Sequence, residues 1–287
     1  MEYGKALTMN AHGKREPTVD LTEEEIVRYS RSLILPEVGL EGQRRLRSSR
    51  AFMVGAGGIG SAPLLYLAAA GVGRIGIADP DTVELSNLQR QIIHCAGDAG
   101  RLKVESAADR IRTLNPHCHV ELYSDGVNVS NIREAVRGYD VVLDGSDNFP
   151  TRFLVADCCW LEKIPLVWAA AVRFHGQLFV VSPGDGGPCH RCLMPQEPSG
   201  DAADSCRRSG VFGPVVGVMG SLQAVEALKI LLGLGSPMAR RLLDYDALRC
   251  EFSTLERRRD PSCPLCGDNP RITDLAGPER ESKRCGE

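Results

Sequence analysis

The sequence predicts an α/β protein in which a parallel β-sheet is wrapped by helices and then extended by antiparallel strands. Short apolar runs such as AFMV, IGIA and VVL lack polar alternation, as strands buried on both faces must. Segments with helical periodicity separate these runs. Beyond Ala170, strand-like segments accompany one long helix, which is typical of a mixed or antiparallel extension of the same sheet.

The elements follow in order along the chain. A helix is predicted to begin near Leu21, because Thr22 and Glu25 form a capping-box pattern while Leu21 and Ile26 form a hydrophobic staple. The predicted strands of the parallel part are 51–54, 75–78, 120–123, 141–143 and 166–168, and the helices between and after them are 61–70, 101–114, 129–137 and 152–162. The extension is predicted to contain strands 177–181, 241–245 and 249–255 and the helix 214–232.

Three segments define the predicted domain organisation. Residues 1–20 are polar and unpatterned, so we expect a disordered N-terminal extension. A single domain is predicted over 21–266, followed by a polar C-terminal tail over 267–287. Within the domain, the small polar residues of 195–208 predict a mobile surface loop.

Composition and charge exclude several classes of protein. The chain has 287 residues, 43% of them hydrophobic, and its 34 basic and 37 acidic residues give a net charge of −3, so we expect no direct binding of nucleic acid. No apolar run near the N-terminus resembles a signal peptide, which favours a cytoplasmic protein. The longest apolar stretch, 211–234, contains Gln223, Glu226 and Lys229, which predicts a buried helix of a soluble protein and no membrane contact.

A glycine-rich loop indicates a nucleotide site. The segment Gly55-Ala-Gly-Gly58-Ile-Gly60 fits G-x-G-x-x-G between a predicted strand and a predicted helix, as in Rossmann-like folds. Asp79 ends the next strand, where an acidic side chain can bind ribose hydroxyls. These features alone also suit an NAD-dependent oxidoreductase, which is an alternative reading of the loop.

The segment after this strand favours chemistry at a triphosphate instead. It contains Arg90 and is followed by Lys103 in the first turn of a helix. A cation in that position opposes the helix dipole, so an anionic partner is expected there. Hydride transfer does not need extra cations, whereas phosphoryl and nucleotidyl transfer do.

These motifs together resemble a known family. The run DPDTVELSNLQRQ (79–91), the Lys103-Val-Glu-Ser helix, the Asp144-Gly-Ser-Asp147-Asn148 segment and two C-x-x-C pairs are similar to those of the MoeB/ThiF-type adenylyltransferases. Members of this family are relatives of ubiquitin-activating enzymes. They adenylate the C-terminal glycine of small ubiquitin-fold sulfur carriers, and the acyl adenylate is then converted to a thiocarboxylate for cofactor biosynthesis or tRNA thiolation. The likeness extends from about Leu21 to Cys266.

The resemblance implies a set of ATP-binding and catalytic residues. Gly58 and Asp79 would bind the phosphate and ribose sides of ATP, and Asp147 with Asn148 would close the site, Asp147 through Mg²⁺. The wall over the phosphates would be formed by Ser86, Asn87, Leu88, Gln89 and Arg90, with Lys103 on the phosphates. Arg31 would reach the nucleotide of a partner subunit, which implies a homodimer. The chain ends about 20 residues past Cys266, too few for a rhodanese domain, so a separate sulfur donor is expected.

Two cysteine pairs predict a metal site. Cys189-His-Arg-Cys192 and Cys263-Pro-Leu-Cys266 are separated by 71 residues (263 − 192), and four thiolates in paired turns suit a structural Zn²⁺. The alternative is two unrelated turns with free thiols. The family carries the same four ligands.

The other seven cysteines fall into two groups. Cys206 lies beside two arginines in the predicted loop, and it matches a cysteine that in some family members forms a thioester or handles sulfur. For the remaining six we expect buried positions in the core. They are Cys95, Cys118, Cys158, Cys159, Cys250 and Cys285.

Two further alternatives stay open at this point. One is a related enzyme of the superfamily that adenylates a small molecule or a tRNA base, against which the four zinc cysteines and the acidic composition speak. The other is a catalytically silent scaffold that carries zinc.

Overall fold

A computed structural model of the chain describes residues 20–198 and 209–276. Its strands are β1 (Arg50–Val54), β2 (Arg74–Ala78), β3 (His119–Tyr123), β4 (Val141–Asp144), β5 (Leu166–Val172), β6 (His175–Val181), β7 (Arg241–Asp246) and β8 (Glu251–Glu256). Its α-helices are α1 (Glu23–Arg28), α2 (Ser30–Leu33), α3 (Gly39–Ser48), α4 (Gly58–Ala69), α5 (Lys103–Leu114), α6 (Ile132–Val136), α7 (Phe149–Leu161) and α8 (Gly213–Leu232).

The eight strands form one sheet in the order β3-β2-β1-β4-β5-β6-β7-β8. The first five in this order pair in parallel, and β6, β7 and β8 add antiparallel neighbours. The predicted fold class is therefore confirmed. The strand order reverses between β1 and β4, and such a switch point leaves a crevice at the carboxyl ends of the strands.

The sequence-based boundaries differ from the structure in two informative places. The β5 strand continues to Val172 and turns at once into β6, because the apolar run after Trp168 pairs with Gly176 and Gln177. The α4 helix begins at Gly58 and not at Ser61, so the glycine motif itself forms the first turn. At the N-terminus, the predicted capping box of Thr22 and Glu25 is present on α1.

The sheet carries a hydrophobic core on each face. One face packs against α4, α5 and α8, with Met53, Ile77 and Leu143 fully buried beneath them. The opposite face packs against α6 and α7, and Phe52 and Trp168 are buried there. The sheet is thus covered on both sides, as the continuous apolar strands require.

The α8 helix is long and apolar enough to span a membrane by length and composition alone. In the structure it packs in the core, since Gln223 is fully buried and its amide donates to the carbonyl oxygens of Asp144 and Val167, both at 2.9 Å. Buried Glu226 accepts a hydrogen bond from the backbone of Met238 at 2.9 Å. These contacts confirm the prediction of a buried core helix.

Candidate active site and metal centre

A cavity of about 380 Å³ lies at the carboxyl ends of the parallel strands, at the switch point between β1 and β4. The glycine loop lines it on one side and the loop after β4 on the other. Six of the residues predicted for ATP binding line this cavity, and they are Gly58, Asp79, Arg90, Lys103, Asp147 and Asn148. Segments far apart in the sequence therefore meet at one site.

The glycine loop leaves room for an anion. Gly55 has a φ of +90°, and a Cβ on Gly60 would lie 1.9 Å from the carbonyl oxygen of Gly55, so neither position suits a side chain. Gly57 precedes α4 and provides no side-chain cap. The first backbone N–H groups of α4 are thus left to bind an anion, which the helix dipole also favours.

Asp79 holds this loop against the end of β2. One carboxylate oxygen accepts a hydrogen bond from the backbone N–H of Ala56 at 2.8 Å, and the other accepts one from Asp81 at 2.9 Å. Burial raises the pKa of Asp79, although Lys103 and these bonds oppose the shift. Each oxygen retains acceptor capacity, so the side chain can also bind ribose hydroxyls.

Lys103 is the first residue of α5, and its Nζ donates a hydrogen bond of 2.7 Å to Asp81. The lysine side chain is 8% exposed, whereas that of Asp81 is 63% exposed. The anionic partner expected from the sequence is therefore present within the chain itself. A phosphate in the cavity could compete with Asp81 for the same ammonium group.

The predicted wall over the phosphates contributes one cavity-lining side chain, Arg90, which donates to the carbonyl oxygen of Ser86 at 3.2 Å. The Asn87 side chain is buried and accepts from the backbone of Glu84 at 3.3 Å, which stabilises a short 3₁₀ turn over 85–87. Ser86, Asn87, Leu88 and Gln89 are not among the residues lining the cavity. Ser86 and Asn87 belong to the turn, Leu88 ends it, and the backbone N–H of Arg90 donates to the carbonyl oxygen of Asn87 at 3.1 Å.

Asp147 and Asn148 lie on the loop between β4 and α7. The Asn148 side chain caps α7 by accepting a hydrogen bond of 2.9 Å from Thr151. Asp147 is exposed at the cavity. A single carboxylate beside a phosphate site fits Mg²⁺, which usually takes one or two carboxylates together with substrate phosphates.

Three residues that shape the site were missed from the sequence. Buried His94 bridges the loop and α5, with its Nε2 2.9 Å from the carbonyl oxygen of Ala56 and its Nδ1 2.8 Å from the hydroxyl of Ser106. Gln91 lines the cavity at 4% exposure, and its Oε1 makes no hydrogen bond within the described part of the chain. Arg152 lines the cavity from α7. Gln91 ends the run 79–91, but the resemblance assigns it no role. No motif spacing marks His94 or Arg152, because each depends on a tertiary contact.

Two predicted residues are not brought to this cavity. Arg31 is exposed on α2, which contributes no residue to the cavity lining. Cys206 and most of the predicted loop 195–208 lie outside the described residues. The predicted extension 1–20 lies outside the described residues except for Asp20. The predicted tail 267–287 is described as far as residue 276, and its Ile272 and Leu275 are buried against the domain.

The four predicted zinc ligands converge. The sulfur atoms of Cys189, Cys192, Cys263 and Cys266 all lie within 4.8 Å of one another. Three of the sulfur–sulfur distances are 3.3, 3.5 and 3.9 Å. Four thiolates bound tetrahedrally at a Zn–S distance of about 2.3 Å would be about 3.8 Å apart, so the cluster fits Zn²⁺.

Buried polar contacts hold the cluster against the sheet and α7. Arg257 donates to the carbonyl oxygens of Cys189 at 2.9 Å and Val180 at 3.1 Å. Burial lowers the pKa of Arg257 to about 10. Arg191 forms a buried ion pair with Asp157 of α7 at 2.8 Å. The backbone N–H of Asp260 points at the sulfur of Cys192 at 3.4 Å, as is common around bound thiolates.

The prediction that the remaining cysteines are buried is partly wrong. Cys118, Cys158 and Cys159 are buried as expected, but Cys95 and Cys250 are exposed. Cys95 precedes a 3₁₀ turn, and Cys250 lies with a φ of +56° in the turn between β7 and β8. Both lie in turns, outside the helix and strand faces that form the core. Cys285 lies outside the described residues.

Comparison with known proteins identifies the family. The sequence profile of the ThiF family matches residues 29–265. The chain belongs to the ThiF family. It is 49% identical over 258 residues to the "sulfur carrier protein adenylyltransferase" of Thermus thermophilus, covering 88% of this chain and 95% of that protein. It is likewise 49% identical over 251 residues to the "SAMP-activating enzyme E1" of Haloferax volcanii, covering 88% and 92%.

Other relatives are longer than this ThiF-family chain. Against the "adenylyltransferase and sulfurtransferase MOCS3" of Bos taurus it is 50% identical over 260 residues, which is 90% of this chain and 57% of that protein. Among solved structures, E. coli MccB matches with a TM-score of 0.74 at 22% identity, covering 88% of this chain and 75% of that one. The complex of E. coli MccB with ATP matches with a TM-score of 0.73 at 21% identity, covering 87% and 83%. At these identities the structural likeness shows the fold alone.

Proposed function

We propose that this ThiF-family protein uses ATP to adenylate the C-terminal glycine of a ubiquitin-fold sulfur carrier. One observation carries the proposal: the glycine loop, Asp79, Arg90, Lys103 and Asp147 all line a single cavity. This set suits chemistry at a triphosphate better than hydride transfer, because it surrounds a phosphate-binding loop with cations. The name of the Thermus relative, a sulfur carrier protein adenylyltransferase, supports a sulfur carrier as the substrate.

The proposed reaction is a nucleotidyl transfer. A carboxylate oxygen of the carrier's terminal glycine forms a bond to the α-phosphorus of ATP, and the bond between that phosphorus and the oxygen bridging to the β-phosphate breaks. Pyrophosphate leaves with the electron pair, and an acyl adenylate remains. No strong base is required, since the nucleophile is already ionised at neutral pH.

The protein's task is to align two anions and to offset their repulsion. The N-terminus of α4 and the side chains of Arg90 and Lys103 bind phosphate oxygens. Asp147 would hold Mg²⁺, which supplies further neutralisation of the phosphates when bound. Asp79 orients the nucleotide through its ribose.

The thiolate cluster has a structural role in this proposal. Four cysteine ligands close the coordination of Zn²⁺ and leave no open position for a substrate. Zinc there would tie the segment after β6 to the segment after β8, where Cys189 and Cys263 lie. The metal would stabilise the fold without entering the reaction.

A homodimer is part of the proposal, and the surface around Arg31 supports it. Large apolar side chains are exposed on and between α1, α2 and α3, and they are Ile26 (46%), Val27 (74%), Ile34 (70%), Leu35 (48%) and Leu40 (45%). Such a cluster is typical of a surface that binds another protein. A second copy bound there would bring Arg31 toward the nucleotide of its partner.

Conversion of the acyl adenylate to a thiocarboxylate requires sulfur from a separate donor. A donor persulfide would attack the acyl carbon and release AMP, which leaves an acyl disulfide. A second thiol would then attack the donor's sulfur atom in this disulfide, so that the S–S bond breaks, the thiocarboxylate leaves and a disulfide remains on the donor. Cys206 is the residue of this chain that we propose to receive the acyl group or the sulfur, on the basis of its position between the two zinc pairs and beside two arginines.

The test is the exchange of radiolabelled pyrophosphate into ATP. Purified protein with Mg²⁺, ATP and a ubiquitin-fold carrier ending in Gly-Gly is expected to catalyse exchange, and a carrier lacking the last glycine is expected to give none. Absence of exchange with the full-length carrier would contradict the proposal. Binding of NAD in preference to ATP, measured by calorimetry, would favour an oxidoreductase instead.

A further inference from the structure

Among the described residues, three cationic side chains line the cavity, and two of them already have roles on the nucleotide side. Lys103 is paired with Asp81 after β2, and Arg90 lies beside Gly58 of the phosphate loop. The third, Arg152, is the fourth residue of α7, after β4. Neither the motifs nor the proposed ATP contacts assign it a function.

Arg152 is held in place on two sides. Its Nε and Nη2 atoms donate to the carbonyl oxygen of Ser146 at 3.0 and 2.8 Å. Its guanidinium lies 5.3 Å from the ring of Trp168 and 5.8 Å from the ring of Phe149. The Nη1 group makes no hydrogen bond within the described residues, so one end of a fixed guanidinium remains free to bind a ligand.

The strand order places Arg152 away from the ribose site. Asp79 follows β2, whereas Arg152 follows β4, and these strands lie on opposite sides of β1. A nucleotide whose ribose contacts Asp79 and whose phosphates contact the loop after β1 leaves the β4–β5 side to the attacking group. Ala171 and Val211 also line the cavity there. Small apolar walls suit a narrow glycine-rich tail.

We propose that Arg152 binds the terminal carboxylate of the acyl substrate through Nη1 and directs it toward the α-phosphorus. This inference rests on the proposed function and specifies which side chain recognises the nucleophile. A charge-assisted hydrogen bond from a fixed guanidinium would offset the repulsion between the carboxylate and the phosphates. Arg152 would then act on the carrier and not on ATP.

Arg152 also stabilises the buried carboxylate of Asp144, and the choice of variant has to take this into account. Asp144 is fully buried, one of its carboxylate oxygens makes no hydrogen bond within the described residues, and the positive charge of Arg152 opposes the rise that burial causes in its pKa. Loss of the charge would leave the buried Asp144 carboxylate with its hydrogen bonds to Ser146 but without the positive charge of Arg152. Arg152→Lys keeps the charge but lacks the planar fork of donors.

The experiment measures how much the terminal carboxylate of the carrier contributes to binding affinity, with and without the guanidinium of Arg152. Calorimetry gives the Kd of two carriers, one ending in the natural Gly-Gly carboxylate and one in a Gly-Gly carboxamide, in the presence of α,β-methylene-ATP. Wild-type protein is expected to bind the carboxylate form about tenfold more tightly. In Arg152→Lys this preference is expected to fall to about twofold or less, while the Kd for the ATP analogue changes by less than about twofold.

Controls separate this proposal from a general effect on folding. Arg133→Lys, at an exposed arginine on α6, is expected to keep the tenfold preference. The double variant Asp144→Asn/Arg152→Gln removes both charges together, so it leaves no unpaired buried charge, and it is expected to show the same lost preference as Arg152→Lys. Urea denaturation checks that each variant is folded.

Three results would overturn the inference. Arg152→Lys could retain the tenfold preference, it could weaken both carriers equally, or it could weaken the ATP analogue as much as the carrier, which would assign the arginine to the phosphates. Failure of the wild-type protein to bind either carrier is a different outcome. It would refute the proposed function, and with it this inference.

Discussion

The Nζ atom of Lys103 lies 2.7 Å from a carboxylate oxygen of Asp81, and the lysine is buried while the aspartate faces solvent. The backbone N–H of Lys103 also donates to the backbone oxygen of Asp81, at 2.9 Å. These contacts explain how a lysine can occupy the first position of α5 against the helix dipole. They also place its ammonium group at the cavity before any phosphate binds.

The first prediction concerns this ammonium group. Lys103→Gln is expected to lower kcat for pyrophosphate exchange by about 100-fold to 1000-fold, because a fixed cation that stabilises developing phosphate charge is lost. Arg110→Gln changes an exposed cation of the same helix and is expected to keep the wild-type rate. Wild-type exchange in Lys103→Gln would remove the lysine from the mechanism.

The second prediction concerns the glycine loop. A Cβ at Gly58 would lie 3.2 Å from Val216 and 3.4 Å from Arg90, so Gly58→Ala is expected to fold with small adjustments but to narrow the phosphate site. We expect the Kd for ATP, measured by calorimetry, to rise about tenfold or more. Gly217→Ala, on α8 with no atom within 4 Å of the added methyl, should leave it unchanged. Equal ATP affinity in both variants would argue against phosphate binding at this loop.

The third prediction concerns the thiolate cluster. Wild-type protein is expected to contain one zinc ion per chain by elemental analysis, and Cys263→Ser is expected to lose most of it and to unfold at lower urea concentration. Cys118→Ser alters a buried cysteine that is not one of the four ligands, and should keep the metal. A full zinc content in Cys263→Ser would show that this cysteine is not a ligand.

Features of the fold and the site that arise from interactions local in the sequence can be predicted, whereas those that arise from tertiary contacts cannot. The strands and the glycine loop follow from local patterns, since burial on both faces and tight turns leave direct traces in residue order. The zinc cysteines follow from a repeated spacing. Arg152 and His94 leave no such trace, because their roles arise from contacts with Ser146 and Ala56 that form only in the folded chain.

Tertiary structure also explains why two cysteines are exposed and why the segment 86–90 contributes only one side chain to the cavity. Residue type alone favours burial of a cysteine, but Cys95 and Cys250 lie in turns where the backbone is at the surface. In the segment 86–90, sequence similarity marks five residues as a unit. The structure divides them between one side chain at the cavity and others in or directly after the turn before it.

The fourth prediction tests whether Arg31 acts across a dimer. Arg31→Ala and Lys103→Gln are each expected to be nearly inactive alone. If each site takes Arg31 from the partner, a heterodimer of the two variants contains one intact site, so an equimolar mixture is expected to recover about a quarter of wild-type exchange. Subunits are mixed under conditions that allow dissociation, and light scattering gives the oligomeric state. A mixture no more active than its parts would place Arg31 outside the partner's site.

The fifth prediction concerns the pH dependence of stability at His94. This ring is 7% exposed, and burial lowers its pKa although its bond to Ala56 and the charge of Asp98 oppose the shift. In the unfolded chain a histidine titrates near pH 6.5, at about its ordinary pKa. Below that pH the unfolded state therefore binds a proton that the folded state does not, and the free energy of unfolding decreases as the pH falls.

The contribution of His94 to this pH dependence is measured as the difference between wild-type protein and His94→Gln. Urea denaturation from about pH 7.5 to pH 5 is expected to show that wild-type stability falls more steeply than that of His94→Gln, by up to about 1.4 kcal/mol per pH unit below pH 6.5. Above that pH the His94 ring is neutral in both states, and its hydrogen bonds stabilise the folded state in full. His94→Gln is expected to be the less stable protein there, because it has lost the bridge from Ala56 to Ser106. Parallel pH profiles for the two proteins would mean that His94 binds a proton equally well in both states, contrary to its buried position.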